Sequence, residues 1–438
     1  MKFRLAAILV ALLSAPVLAE DWPQFLGPKR DGVWRETGIL EKFPQGGPKK
    51  LWTEKIGGGY AGPAVAGGKV FAIDYTKDDS SANESVICFD AEKGTRLWKS
   101  SYPVVYKIPG GYSSGPRCTP LVDGECVYTV GSMGDLNCYA VKDGKLIWSK
   151  NYIKDFKAKV PLWGFASHPL VDGDKLICVT GGTTDNLVMA FDKKTGKELW
   201  HSQEISTDCG YAAVMIYDLD KVRTAVVWHQ AAVVGLDPET GKRLWKYDFP
   251  VKYALTAPTP RQVGMDKLFI TAFYDGPVML KIAGGKATPD WKGKSASEQP
   301  DKTDGLHSIM PTPFIVDGHI YGVCSYGELR CLKADTGERV WSTRKPTVGT
   351  PTEEGKATRW GNAFLTQHED RFFLFNEKGE LVIAKLTPKG YEEIDRAAIV
   401  APTNKDAGRK TVWVHPAFAG KKMYVRNDLE LVCVDLAK

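Results

Sequence analysis

The side chains best equipped for chemistry in this 438-residue chain are histidines, tryptophans and arginines that recur in related surroundings. His168 and His415 each stand directly before a proline, and Trp413 precedes His415 by two residues as Trp360 precedes Asn362. Arg117, Trp163, His307 and Arg359 fall in comparable stretches, while Trp228 and His229 form an adjacent pair. Flat rings and guanidinium groups gathered at one mouth would bind a planar, anionic or sugar-like ligand by stacking and hydrogen bonding. Each also has a plainer use, since a Trp at a tight connection fills space and a His before Pro satisfies backbone groups. No nucleophile elbow or Ser-His-Asp set stands at short spacing, so no catalytic residue is assigned. CxxC and CxxCH are absent and the histidines show no ligand spacing, so no metal site is expected.

The elements that must position these residues announce themselves by repetition. Trp52, Trp98, Trp148, Trp200, Trp245, Trp291 and Trp341 recur every 45–52 residues, mostly after a Gly-Lys type turn, as in DGKLIW, TGKELW and TGERVW. A period of this size without helical periodicity points to propeller blades. Each period reads as four short strands, with alternating apolar residues, β-branched enrichment and Gly/Asp turns. Between Ser167 and Trp200 these are the Leu170 strand, LICVT, LVMAF and the strand opening at ELW. One period lacks its Trp and carries Ile394 in that place. The last period stops before its fourth strand, and the first Trp-bearing strand, Lys50 to Ile56, has no strands before it. Joining the two completes a blade and closes a ring without a free edge. The expectation is an all-β, eight-bladed β-propeller of four-stranded antiparallel blades, with seven blades as the alternative.

The pattern AFDKKTGKELW, with GLDPETGKRLW and CLKADTGERVW, resembles the tryptophan-docking motif of quinoprotein (PQQ-like) propellers over Lys50 to Lys438. DWPQFLGPKRDG and WVHPAFAGKKMYVRNDLELVCV are similar to secreted bacterial PQQ-binding-like repeat proteins. The resemblance implies that the repeated tryptophans are structural. It also covers dehydrogenases and the outer-membrane assembly scaffold, so it implies no single activity. A PQQ-dependent dehydrogenase acting on an alcohol or sugar would need a stacking Trp, basic groups for the quinone and oxygen ligands for calcium. Arg117, Arg359 and Trp360, with Asn362 or Glu328 near the metal, are the residues available for those roles.

Composition narrows the setting. Lys2 and Arg4 followed by the apolar Leu5–Leu13 and the ending Val17-Leu18-Ala19 read as a signal peptide over 1–19, with a periplasmic or secreted mature chain. That apolar run is too short to span a bilayer. A net charge of +6 with interspersed signs argues against nucleic acid. A monomer is expected. Residues 20–49, with Trp22 and Trp34, read as an extended arm packing its aromatics on the propeller of residues 50–438. Cys88, Cys138, Cys331 and Cys433 share one strand context and read as small core residues, whereas Cys324 and Cys331 flank a tight turn across which they could pair.

Strand order separates two faces. Inter-blade connections and second-to-third turns lie on one, together with the long stretches 76–85, 151–162, 292–306, 345–358 and 401–411; the other has only short turns such as VDG and KTG. Insertions confined to one face of a repeat protein build its binding surface. The expected function is a binding or scaffold module for a protein, peptide or glycan partner. A PQQ enzyme, or another enzyme at the channel mouth, is the alternative.

Overall fold

Blade 3 shows how the sequence makes its sheets. Leu170–Asp172, Lys175–Val179, Val188–Asp192 and Glu198–His201 pair in order, each antiparallel to the last. Gly173 (φ +59°) and Gly196 (φ +70°) take the left-handed conformation that its two short turns require. The computed structural model describes residues 20–108, 114–182, 184–406 and 408–438; the expected signal peptide over 1–19 lies outside them.

Eight such sheets form the ring, a β-propeller with very little helix. Blade 1 runs from Ala64–Ala66 to Arg96–Pro103, blade 2 from Leu121–Asp123 to Leu146–Asn151, and blade 4 from Met215–Leu219 to Arg243–Asp248. Blade 5 runs from Arg261–Val263 to Lys286–Lys292, blade 6 from Phe314–Val316 to Arg339–Thr343, and blade 7 from Ala363–His368 to Gly390–Ala398. Blade 8 joins the C-terminal strands Ala417–Ala419, Lys422–Arg426 and Glu430–Asp435 to the N-terminal Lys50–Lys55, with Trp52 opposite Cys433. The closure read from the two incomplete periods is therefore present.

The repeated dipeptide has a geometric cause. In every blade the pairing of third and fourth strands slips by one residue at the same place. The bulged residue is the one before the Trp: Leu97, Ile147, Leu199 and Val340, for example, which are all exposed. A bulge of this kind re-aims the next side chain and roughens an outer edge strand against unwanted pairing. The Trp then turns inward, and the indole N–H of Trp52, Trp98, Trp148, Trp200, Trp291 and Trp341 donates to a backbone carbonyl of the following blade at 2.8–3.1 Å. The ring lies against a turn glycine there: a Cβ on Gly144 would come within 2.4 Å of Trp98, and one on Gly241 equally close to Trp200. Cys88, Cys138, Cys331 and Cys433 are the cross-strand partners of four of these tryptophans, which is why a small buried residue recurs.

Three expectations need correction. In blade 7 Ile394 is the bulged residue and Asp395 holds the Trp position, with its carboxylate accepting the Phe43 N–H of the arm at 2.7 Å. Cys324 pairs with Glu328 and Cys331 with Tyr321, so the two thiols do not face each other and all nine cysteines are unbridged. Residues 76–85 are mostly the ends of the strands Lys69–Lys77 and Ala82–Asp90, because the hairpin simply extends.

The arm crosses the short-turn face. Trp22 exchanges backbone hydrogen bonds with Val65 of blade 1, and Pro23 accepts from Val122 of blade 2. The buried Arg30 donates to Pro169 O of blade 3 at 2.8 Å, and Arg261 of blade 5 donates to Asp31 O at 3.0 Å. Gly32 lies on Phe314 of blade 6, Trp34 N donates to Gln367 of blade 7, and Glu36 accepts from Lys421 N of blade 8.

Candidate functional site

The turn from each inter-blade connection into its first strand brings one residue to the central axis. Close packing there is visible at Gly62, where a Cβ would lie 2.2 Å from the His415 carbonyl. His168 and His415 occupy this level in blades 3 and 8, with Phe25 of the arm between them. The Phe25 ring stacks on His168 (centroids 3.9 Å) and meets His415 edge-on (4.8 Å). Phe25 thus floors a cavity of about 180 Å³ at the loop-rich end of the channel.

Six of the eleven residues singled out from the sequence line this cavity: Arg117, Trp163, His168, Trp360, Trp413 and His415. The other five are elsewhere. Trp228 and His229 are walled into blade 4, and His307 is fully buried with Nδ1 3.2 Å from Phe273 O. Asn362 is buried and donates to Trp360 O at 2.6 Å. Arg359 stands at the rim, its guanidinium 4.7 Å over the Trp360 ring and paired with Glu298 at 2.7 and 2.9 Å. Period alone set all five on the right face but gave no depth. Sequence reasoning missed Tyr60, Tyr211, Phe364 and Phe25 among the lining residues. Phe25 lies in the DWPQFLGPKRDG stretch, but it stands outside the repeat, so no period tied it to the channel axis.

The aromatic walls are held from behind by charged groups. Trp413 donates its indole N–H to Glu377, which Arg409 clasps at 2.9 and 3.0 Å. Tyr60 donates to Asp406 at 2.5 Å and lies under the Arg117 guanidinium at 4.7 Å. Trp163 packs edge-on against Tyr211. Trp360 adopts a left-handed backbone (φ +64°), a costly conformation for a bulky residue and a frequent mark of functional positions. Locking of this kind is what a preorganised binding site requires.

The electrostatics are mild. Burial holds His168 well below the usual imidazole range, helped by nearby Arg30 and His415, and lowers His415 to about 3. Both rings are therefore neutral at ordinary pH. Neither has a hydrogen-bonding partner for its ring nitrogens among the described residues. Arg117 is the one cationic side chain among the described lining residues, and no carboxylate joins them.

A ring of eight four-stranded blades, stapled by docking tryptophans around a floored aromatic pocket, is the quinoprotein-type propeller architecture. Residues 82–343 match the family model described as PQQ_2, outer membrane protein assembly factor BamB, and the chain belongs to that family. The structure is similar to BamB from Moraxella catarrhalis (TM-score 0.55, 14% identity, 88% of this chain and 97% of that one). It is also similar to the quinohemoprotein alcohol dehydrogenase from Comamonas testosteroni (0.64, 13%, 95% and 81%) and to a europium-containing methanol dehydrogenase (0.64, 13%, 93% and 89%). At these identities the likeness is one of fold. No curated protein matches the sequence.

The dehydrogenase neighbours make PQQ the natural cofactor to test against the site, and the residues here do not fit it. Glu328 is spent on Arg330 and Arg344, at 2.6 and 3.0 Å. Arg359 is neutralised by Glu298, and Asn362 is turned into its own loop. Among the described residues no three His, Cys, Asp or Glu side chains come together to hold a metal ion. A single arginine also faces what would be several quinone carboxylates.

Proposed function

We propose that this protein is an extracytoplasmic binding module that docks a partner protein on its loop-rich face, with the axial pocket as the anchor point. The observation that carries the reading is a floored, aromatic-walled pocket whose surrounding face displays apolar side chains. Val105, Leu162, Ile205, Tyr253 and Leu429 are exposed in its connections and turns. Apolar side chains around an anchoring pocket are the usual make-up of a protein-binding surface. Among the described lining residues there is aromatic stacking area but no hydrogen-bonded nucleophile–base pair, which favours recognition over turnover. The BamB likeness supports a protein partner in preference to a glycan. The signal-like leader and the family support a place outside the cytoplasm, and no helix among the described residues is long and apolar enough to cross a membrane.

A photo-crosslinking amino acid placed at Leu162 or Tyr253 should give discrete adducts in the extracytoplasmic fraction of the native cell. The same probe at Met265, on the short-turn face, should give none. Equal labelling from both faces, or none from either, would refute the reading.

A further inference from the structure

The base and the walls of the pocket ask for different things, and few groups satisfy both. The walls are aromatic: Trp163, Trp360, Trp413 and Tyr60 offer ring faces and edges. The base carries two imidazoles, His168 and His415, half-buried against Phe25 and Phe364 with ring nitrogens that no described residue engages. Ring nitrogens that the protein leaves to water at the base of an aromatic pocket are available to a guest that brings a hydrogen bond in place of that water. A cation would find no carboxylate here, and an anion would meet neutral imidazoles and an arginine already bonded to Gly115 O at 2.8 Å. Size adds a limit. An apolar cavity of about 150 Å³ accepts benzene, so about 180 Å³ suits one six-membered ring with a small substituent.

We propose that the pocket takes the phenol ring of a partner's tyrosine, inserted hydroxyl first between the tryptophans to reach His168 and His415. This rests on the protein-docking reading and names its anchor. The hydroxyl donates to an unprotonated imidazole nitrogen while the ring replaces water against the indole walls. The backbone of the tyrosine stays at the rim, near Arg117 and Trp360, where the following and preceding residues meet the exposed face.

The test is equilibrium binding of N-acetyl-tyrosinamide and N-acetyl-phenylalaninamide to the full chain, followed by tryptophan fluorescence and calorimetry. One net hydrogen bond in a buried site should favour the tyrosine compound by about tenfold, and His415→Phe should cut that preference to about twofold or less. Should His415→Phe melt early, the wild-type ratio decides alone. Equal affinity for the two compounds overturns the proposal, as does tighter binding of benzoate or N-acetylglucosamine. Binding of p-cresol without N-acetyl-tyrosinamide would make the guest a small phenol and overturn the side-chain assignment. Loop-face crosslinks without a tyrosine preference would sink this inference and leave the docking function standing.

Discussion

The two ends of the channel are made from the same blades and finished in opposite ways. At the short-turn end the arm spends its backbone and two arginine-mediated contacts on seven of the eight blades, burying Trp22, Trp34 and Ile39, and only Phe25 reaches up the channel to the pocket floor. At the loop-rich end charged pairs stand behind the aromatics, and the rings face open space. One end maximises contact with its own chain, whereas the other withholds it. Stability and recognition have been assigned to separate ends, so changes at each should be separable.

The largest break in that contrast should come from deleting residues 20–49. Each large apolar side chain removed from the core forfeits about 2–3 kcal/mol. Five of them (Trp22, Phe25, Leu26, Trp34 and Ile39) amount to about 10 kcal/mol, close to the whole stability of an ordinary domain. The truncated chain should fail to show a cooperative thermal transition; unfolding like the parent would mean that the arm is ornamental. Next in size, Phe25→Ala should cost about 3 kcal/mol in denaturant unfolding and deepen the pocket enough to admit a two-ring probe such as naphthol. Gly32→Ala tests the sealed end alone. Its Cβ would meet Phe314 at 2.7 Å from a left-handed backbone, for a loss of about 1–3 kcal/mol with tyrosine binding intact.

Acid should erode the molecule through its buried histidines. Burial lowers His229 and His307 to about 4 and His415 to about 3, while in the unfolded chain each titrates near 6.5. Between those values the unfolded state binds more protons, so stability is complete above about pH 6.5 and falls as pH drops toward 4. His307→Gln should flatten that decline in a melting-temperature series. An unchanged slope would show that His307 contributes nothing to it. The smallest effect belongs to Trp163→Ala, which should leave stability within about 1 kcal/mol yet weaken tyrosine binding severalfold. A large stability loss there would blur the division between the two ends.

What the sequence disclosed follows from how information repeats in it. The Trp positions, the small cross-strand cysteines and the complementary chain ends are all periodic, and the eight-bladed ring with its closure was legible from them. The axial level of His168 and His415 was legible too, because a residue at a matching repeat position has a matching radius. Depth was not. Trp228, His229, His307 and Asn362 share the face but are covered by neighbours whose identity no single period encodes. Blade 7 was misread by one residue for a related reason: a bulge shifts the frame, and Asp395 in the Trp place makes sense only with Phe43 of the arm beside it. Contacts made once, between the arm and distant blades, leave no pattern to find.

The joint between Lys50–Lys55 and Glu430–Asp435 also sets an order of events. A chain emerging N-terminus first presents Trp52 and the arm's aromatics long before their partners exist. Neighbouring blades can form early from local contacts, but the last sheet and the seal beneath it must wait for almost the entire polypeptide. Such distant pairing makes for slow maturation, with sticky surface uncovered in the meantime. The same joint that makes the finished toroid durable therefore makes its assembly dependent on protection until the final strand arrives.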